Sequence, residues 1–257
     1  MVACSPRPYR AANLEYRRSV RGYSDLLKTY PLQDSVGGGV KGNWVGTTNF
    51  NMRKPNFVVI HHTAQNSCDE TLKTFTLKRT QVSAHYVICR DGSVYHMLND
   101  YLRAWHAGSG RWGNVTDMNS ESIGIELDNN GEEVFGSQQM DALYGLLGRL
   151  KRSYGIPDAN FIGHEDVAPT RKNDPSVYFN WKGLADRGFG LWYGDTTGVV
   201  VPKDFNAMQG LRIVGYDVRD TSAAIAVFKR KYLGVDKSRD LGDGDLKVLY
   251  LLMMKYL

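Results

Sequence analysis

The sequence has little cysteine, no long apolar run and no concentrated block of basic residues, and each shortage removes a class of protein. Three cysteines in 257 residues, Cys4, Cys68 and Cys89, give an odd count without the paired spacings of a zinc finger or redox motif, so no disulfide framework is expected. Without an apolar stretch of bilayer length the chain reads as soluble and globular, and 42% hydrophobic residues suffice for one full-sized domain plus a small one. The formal charge of +5 favours anionic partners, yet lysine and arginine are interspersed with aspartate and glutamate. A nucleic-acid partner is therefore not expected, and an anionic glycan carrying peptide carboxylates fits the charge as well. There is no internal repeat, no low-complexity tract and no compact H-E-x-x-H signature.

What is present centres on Gly163 to Pro175, G-H-E-D-V-A-P-T-R-K-N-D-P, which packs a histidine, three acids and two bases into one irregular loop. Pro169 and Pro175 argue against a helix, and the charges spread from Glu165 to Asp174 argue against a strand. Upstream, residues 1–53 read as a mostly extended leader with a helix near Asn13 to Thr29, broken by Gly37-Gly38-Gly39. Phe57-Val58-Val59-Ile60 reads as a buried strand ending in His61-His62, followed by a helix capped by Asp69. His85 to Cys89 and Ser93 to Leu98 read as a hairpin turned at Asp91-Gly92. S-I-G-I-E-L, ending the segment Glu121 to Leu127, reads as a further buried strand. Ser137 to Tyr154 is an amphipathic helix with Met140, Leu143, Leu147 and Leu150 on one face, stopped by Gly155. After the loop come a helix-like Val177 to Arg187, a linker at Gly194 to Gly198 and three short amphipathic segments broken at Gly215 and Gly234. The divisions expected are 1–53 as leader, 54–194 as the main domain and 195–257 as a small helical domain.

The polar residues at the ends of these buried elements suggest a metal site. His164 and Asp174 offer an imidazole and a carboxylate, and His61 or His62 would supply a third zinc ligand. Glu126, an acid in an otherwise apolar strand, is the candidate general base, and Lys172, beside Arg171, the candidate donor to a developing oxyanion. Each has a plainer reading: a histidine closing a strand is often a satisfied polar cap, Glu126 could pair with an arginine, and Lys172 could be a solvated cation. Taken singly, His85, His96 and His106 read as structural, although Trp105-His106 suits the lining of a polar groove.

Taken together and in order, F-V-V-I-H-H-T-A, V-S-A-H-Y-V-I, A-W-H-A-G, S-I-G-I-E-L-D-N, G-H-E-D-V-A-P and R-K-N-D-P resemble the zinc-dependent N-acetylmuramoyl-L-alanine amidases of the amidase type 2 family, over roughly Pro55 to Tyr193. G-Y-D-V and A-V-F-K-R-K-Y near the C-terminus are similar to a three-helix peptidoglycan-binding domain, as in the bacterial periplasmic branch. The resemblance implies an α/β fold, a central mixed β-sheet flanked by helices, with a small C-terminal three-helix domain. It places Zn2+ on His61, His164 and Asp174, and strand alternation agrees that only one of His61 and His62 faces the site. It makes Glu126 and Lys172 catalytic and His106, with His85 and Arg171, substrate-binding. Ala84 stands where phage amidases and animal recognition proteins carry a tyrosine, and Asp174 where they carry a cysteine ligand.

The implied reaction is hydrolysis of the amide between N-acetylmuramic acid and L-alanine of the peptidoglycan stem peptide. The implied partners are peptidoglycan or muropeptides, met by a monomer in the bacterial cell envelope, in the periplasm. V-A-C-S at residues 2–5 is similar to the remnant of a bacterial lipoprotein signal, which would lipidate Cys4 and attach the chain to the outer membrane; an ordinary cysteine in a loose tail is the alternative. Rival functions are peptidoglycan recognition without cleavage and zinc-dependent cleavage of free peptides.

Overall fold

A computed structural model describes residues 8–28, 46–235 and 238–257. Cys4 and Gly37 to Gly39 lie outside the described residues. The leader helix is present as α1 (Arg10–Leu26), starting three residues earlier than expected, and none of its residues is buried. Among the described residues no helix is long and apolar enough to cross a membrane.

The centre is one five-stranded sheet in the order β3-β2-β4-β1-β5, made of β1 (Phe57–His62), β2 (Tyr86–Ile88), β3 (Val94–His96), β4 (Ser122–Leu127) and β5 (Phe161–Gly163). All pairs are parallel except the β2–β3 hairpin, so the sheet is mixed as expected. β1 is apolar at every position before its two histidines because it lies centrally and is buried on both faces. Alternation sorts its side chains. Val58 and Ile60 join Ile123, Ile125 and Leu127 beneath helix α4 (Ser137–Tyr154), whose Met140, Leu143, Leu147 and Leu150 are all buried. Phe57 and Val59 point to the opposite face, and His61 follows them with period 2. α4 ends on Gly155 in the left-handed region, φ 64°, as a helix-stopping glycine should.

Several local expectations are corrected. Helix α2 (Cys68–Thr76) is capped by Ser67, whose hydroxyl accepts the Glu70 N–H at 3.3 Å, and Asp69 falls in its first turn. A one-turn helix α3 (Met118–Glu121) precedes β4, and the polar loop opens with another, α5 (His164–Val167). Pro169 lies beyond that turn, and the Asp166 carboxylate starts it by accepting the Gly163 N–H at 2.8 Å. The helix expected over Val177 to Arg187 shrinks to α6 (Trp181–Ala185), because the Asn180 side chain accepts the Gly183 N–H and fixes the start there.

The cysteine expectation is also overturned. Cys68 and Cys89 form a disulfide with their Cα atoms 5.4 Å apart. Their separation of 21 residues carries no motif; the pairing follows from β2 delivering its C-terminal end beside the start of α2. Closing a loop of that length removes unfolded-state entropy worth about 3 kcal/mol. The Cys68→Ser/Cys89→Ser double variant should therefore melt roughly 6–12 °C lower than the parent chain by calorimetry.

The three C-terminal segments are helices α7 (Ala207–Val214), α8 (Thr221–Leu233) and α9 (Asp243–Met253), and Gly215 and Gly234 do terminate the first two. Their apolar faces do not close into a core of their own. Leu211, Val214, Tyr216, Val227 and Phe228 share one cluster with Phe57, Val59, Ile162 and Val167 of the sheet side. The C-terminal unit thus covers the sheet face opposite α4.

Candidate active site

In parallel sheets, side chains with chemistry gather at the carboxyl ends of the strands. The register here does this by pairing His61 of β1 with Glu126 of β4, and Ile60 of β1 with Gly163, the residue before His164. Paired residues on neighbouring strands share a face about 4.8 Å apart, so His61 and Glu126 project together. His62 points the other way and accepts the Ser176 N–H at 3.1 Å, which leaves His61 as the histidine that faces the site.

His61, His164 and Asp174 converge. His61 Nδ1 lies 2.9 Å from His164 Nδ1, and each of these nitrogens lies 3.0 Å from Asp174 Oδ2. All three residues are buried. The hydrogen bonds behind them decide where the protons are. The Ala107 carbonyl can only accept, so the 3.0 Å contact places the proton of His164 on Nε2 and leaves Nδ1 as a bare lone pair. For His61 the chain is longer. The Ser122 hydroxyl donates to the Met118 carbonyl at 2.5 Å, so Ser122 Oγ accepts from His106 Nε2 at 3.2 Å. His106 Nδ1 then accepts from His61 Nε2 at 3.0 Å, and His61 Nδ1 is bare as well. Two imidazole lone pairs and a carboxylate oxygen therefore face one another with no proton between them, an arrangement suited to a cation. Two nitrogens and one oxygen in this form are ligands zinc accepts.

The charge states agree. Burial, reinforced by the neighbouring His164, pushes the His61 pKa down to about 4, so the ring is neutral. Burial works against ionised Asp174, but the adjoining His164 and His61 imidazoles outweigh it and hold the carboxyl well below the usual range. Glu126 behaves in the opposite way: burial, and then the charge of Asp174, pushes its pKa up to about 8. Its Oε2 is buried with no hydrogen-bond partner among the described residues. A buried oxygen left unpaired costs about 1–3 kcal/mol, a cost expected where the group serves chemistry. Half-buried Lys172 is close enough for its charge to oppose both the rise at Glu126 and protonation of His61.

The three residues assigned to substrate are placed differently. His85 is fully buried: its Nε2 donates to the Leu102 carbonyl at 3.0 Å, and its Nδ1 accepts the Gly124 N–H at 3.0 Å. It ties the segment before β2 to β4 and does not reach a groove, which corrects its assignment to substrate. His106 is buried behind His61 as its hydrogen-bond partner. Exposed Arg171 donates to the Ala107 carbonyl at 3.2 Å and to the Ser109 carbonyl, fastening the 164–175 loop to the 104–109 segment.

Sequence reasoning missed Ser122, Gly124 and Asn119. A side chain at Gly124 would meet the His106 ring at 2.4 Å, so only glycine lets that ring lie against β4. Asn119 Oδ1 accepts the backbone N–H groups of both His106 and Ala107, at 3.0 and 2.9 Å, and so fixes the partners behind His61 and His164. One signal was available. Ser122, Gly124 and Glu126 alternate along an otherwise apolar strand, which marks that face as something other than core.

Comparison with known proteins follows the same lines. Residues 51–177 match the Amidase_2 family model, described as N-acetylmuramoyl-L-alanine amidase. The chain is 36% identical over 151 residues to the N-acetylmuramoyl-L-alanine amidase AmiD of Escherichia coli (strain K12), covering 52% of this chain and 54% of that protein. It is 38% identical over 103 residues to the 1,6-anhydro-N-acetylmuramyl-L-alanine amidase AmpD of Haemophilus influenzae, covering 40% of this chain and 56% of that one. The match spans about half the length of these curated relatives. A solved structure of E. coli AmiD, in complex with the substrate anhydro-N-acetylmuramic acid-L-Ala-D-gamma-Glu-L-Lys, superposes with a TM-score of 0.71 at 27% identity, covering 82% of this chain and 93% of that chain. Residues 51–177, carried on a sheet that brings His61, Glu126, His164 and Asp174 to one end, match the N-acetylmuramoyl-L-alanine amidase family.

Proposed function

We propose that this chain is a zinc-dependent amidase that hydrolyses the bond between the lactyl group of N-acetylmuramic acid and L-alanine of the stem peptide. The observation that carries this reading is the convergence of two bare imidazole nitrogens and the Asp174 oxygen beside the unpaired Oε2 of Glu126. Zinc held by His61, His164 and Asp174 would supply Lewis acidity toward the scissile carbonyl and a water with its pKa lowered to about 7. Glu126 takes a proton at Oε2 from the water that attacks the carbonyl carbon and delivers it to the L-alanine nitrogen as the C–N bond breaks, a double duty suited to a carboxyl whose pKa is pushed up to about 8. The Lys172 ammonium faces the negative charge that develops on the carbonyl oxygen. The substrate class is muropeptides or peptidoglycan, with an anhydromuramyl tripeptide as the form seen on E. coli AmiD.

The site of action is the periplasm, a reading supported by the Cys68–Cys89 disulfide, since such bonds persist in oxidising compartments. In this reading Cys4 is the lipid attachment point, and the C-terminal helices bind the wall.

Incubating the zinc-loaded chain with anhydromuramyl tripeptide and resolving the products by mass should give a free tripeptide with an L-alanine amine and an intact sugar. Cleavage between amino acids would point instead to a peptidase. Glu126→Gln should lower hydrolysis by about 10²–10⁴-fold at unchanged zinc content. Undiminished turnover in that variant would remove Glu126 from the mechanism, and wall binding without any product from the parent chain would make this a recognition protein.

A further inference from the structure

Two consecutive acids directly follow His164, and two consecutive cations on α8 meet them. Arg230 donates to Glu165 Oε2 at 2.5 Å, and Lys231 Nζ donates to Asp166 Oδ2 at 2.5 Å. Glu165 and Asp166 are both 0% exposed. Asp166 is a hub: Oδ2 also accepts the Gly163 N–H at 2.8 Å, and Oδ1 accepts the Tyr216 hydroxyl at 3.0 Å. Lys231 Nζ lies 4.1 Å from the centroid of the Trp181 ring, and that ring lies so close to Gly163 that an added Cβ would meet it at 2.9 Å.

The backbone on both sides of His164 is therefore clamped. Gly163 is held by Asp166, and the Glu165 N–H donates to the Asp174 carbonyl at 2.8 Å. The aim of His164 Nδ1 depends on this one turn, and the turn holds two fully buried acids. Both buried acids are held in place by side chains from residues 230 and 231, about 65 positions along the chain, and removing either partner would take a hydrogen bond from a buried carboxyl oxygen.

We propose that Arg230 and Lys231 of the C-terminal helical unit are positioning residues for His164, so that the helical unit is part of the metal centre and sets its affinity. This rests on the reading that His61, His164 and Asp174 hold a divalent cation, and it extends that reading to a part of the chain outside the matched family region, residues 51–177.

The test is the zinc dissociation constant of the full chain, measured by competition with a chromophoric chelator, together with the visible spectrum of the cobalt(II)-loaded protein. Lys231→Met should weaken zinc by about 10–100-fold, the range typical of lost ligand support, and should alter the cobalt bands. Lys231→Arg, which keeps the charge, should recover most of the affinity. Leu249→Ala, a cavity in the same helical cluster remote from α5, should lower the melting temperature yet leave the zinc constant within about twofold. Should Lys231→Met fail to fold, Arg230→Gln makes the same test at the partly exposed pair.

A folded Lys231→Met or Arg230→Gln chain with parental zinc affinity and cobalt spectrum overturns the proposal. So does an equal loss of affinity in Leu249→Ala, which would reduce the effect to general stability. Absence of zinc binding by the parent chain would instead strike the metal site itself.

Discussion

His164→Ala is expected to abolish zinc binding and amide hydrolysis together. His164 contributes one of only two bare imidazole nitrogens at the site, and His61 with Asp174 cannot enclose a cation from two directions. The loss should exceed the roughly 10–100-fold that follows removal of an outer partner, and zinc per chain should fall from one to near zero by elemental analysis. Hydrolysis should drop by at least about 10⁴-fold, because water without a metal keeps a pKa near 15.7. A thermal readout accompanies this. A ligand at about 1,000 times its dissociation constant stabilises the folded state by about 4 kcal/mol, so added zinc should raise the melting temperature of the parent chain and leave the variant unmoved. Stoichiometric zinc in His164→Ala would exclude His164 from the ligand set.

Ending the chain at Gly194 is expected to destroy the fold, not merely wall binding. The cut removes Leu211, Val214, Tyr216, Val227, Phe228 and Tyr232, each buried to 2% exposure or less, from a cluster shared with Phe57, Val59, Ile162 and Val167. At about 1.5–3 kcal/mol for each large apolar side chain withdrawn from burial, the loss rivals a typical total stability of about 5–15 kcal/mol. The same cut strips Arg230, Lys231 and Tyr216 from Glu165 and Asp166, leaving two adjacent acids on an apolar surface. The truncated chain should show no cooperative melting transition and should aggregate. A soluble fragment that melts cooperatively and takes up zinc would restore the separable second domain that the linker-like Gly194 to Gly198 suggests.

Much of this architecture was legible because its signals are local. The apolar run before His61, the Asp91-Gly92 turn, the four-residue rhythm of α4 and its stop at Gly155 each depend on neighbours within a turn or a strand. The candidate site was legible for a different reason. His61, Glu126, His164 and Asp174 sit at ends of buried elements or in a dense polar loop, where such residues are costly unless used.

By itself, then, the sequence determined four of the five strands, all but β5, together with α1, α4 and the C-terminal helices, the end of the sheet where polar residues gather, and the residues offered to a metal. Tertiary structure alone decided which nitrogen of each histidine is bare, since that follows from Met118 through Ser122 and His106 to His61, and from Ala107 to His164. It also moved His85 from the groove into the interior, paired Cys68 with Cys89, and docked α8 behind His164. These outcomes join side chains more than 100 residues apart, as between His61 and Asp174, 113 positions along the chain. No local periodicity encodes such pairs, because they form only once the parallel register and the packing of both sheet faces have brought distant segments into contact.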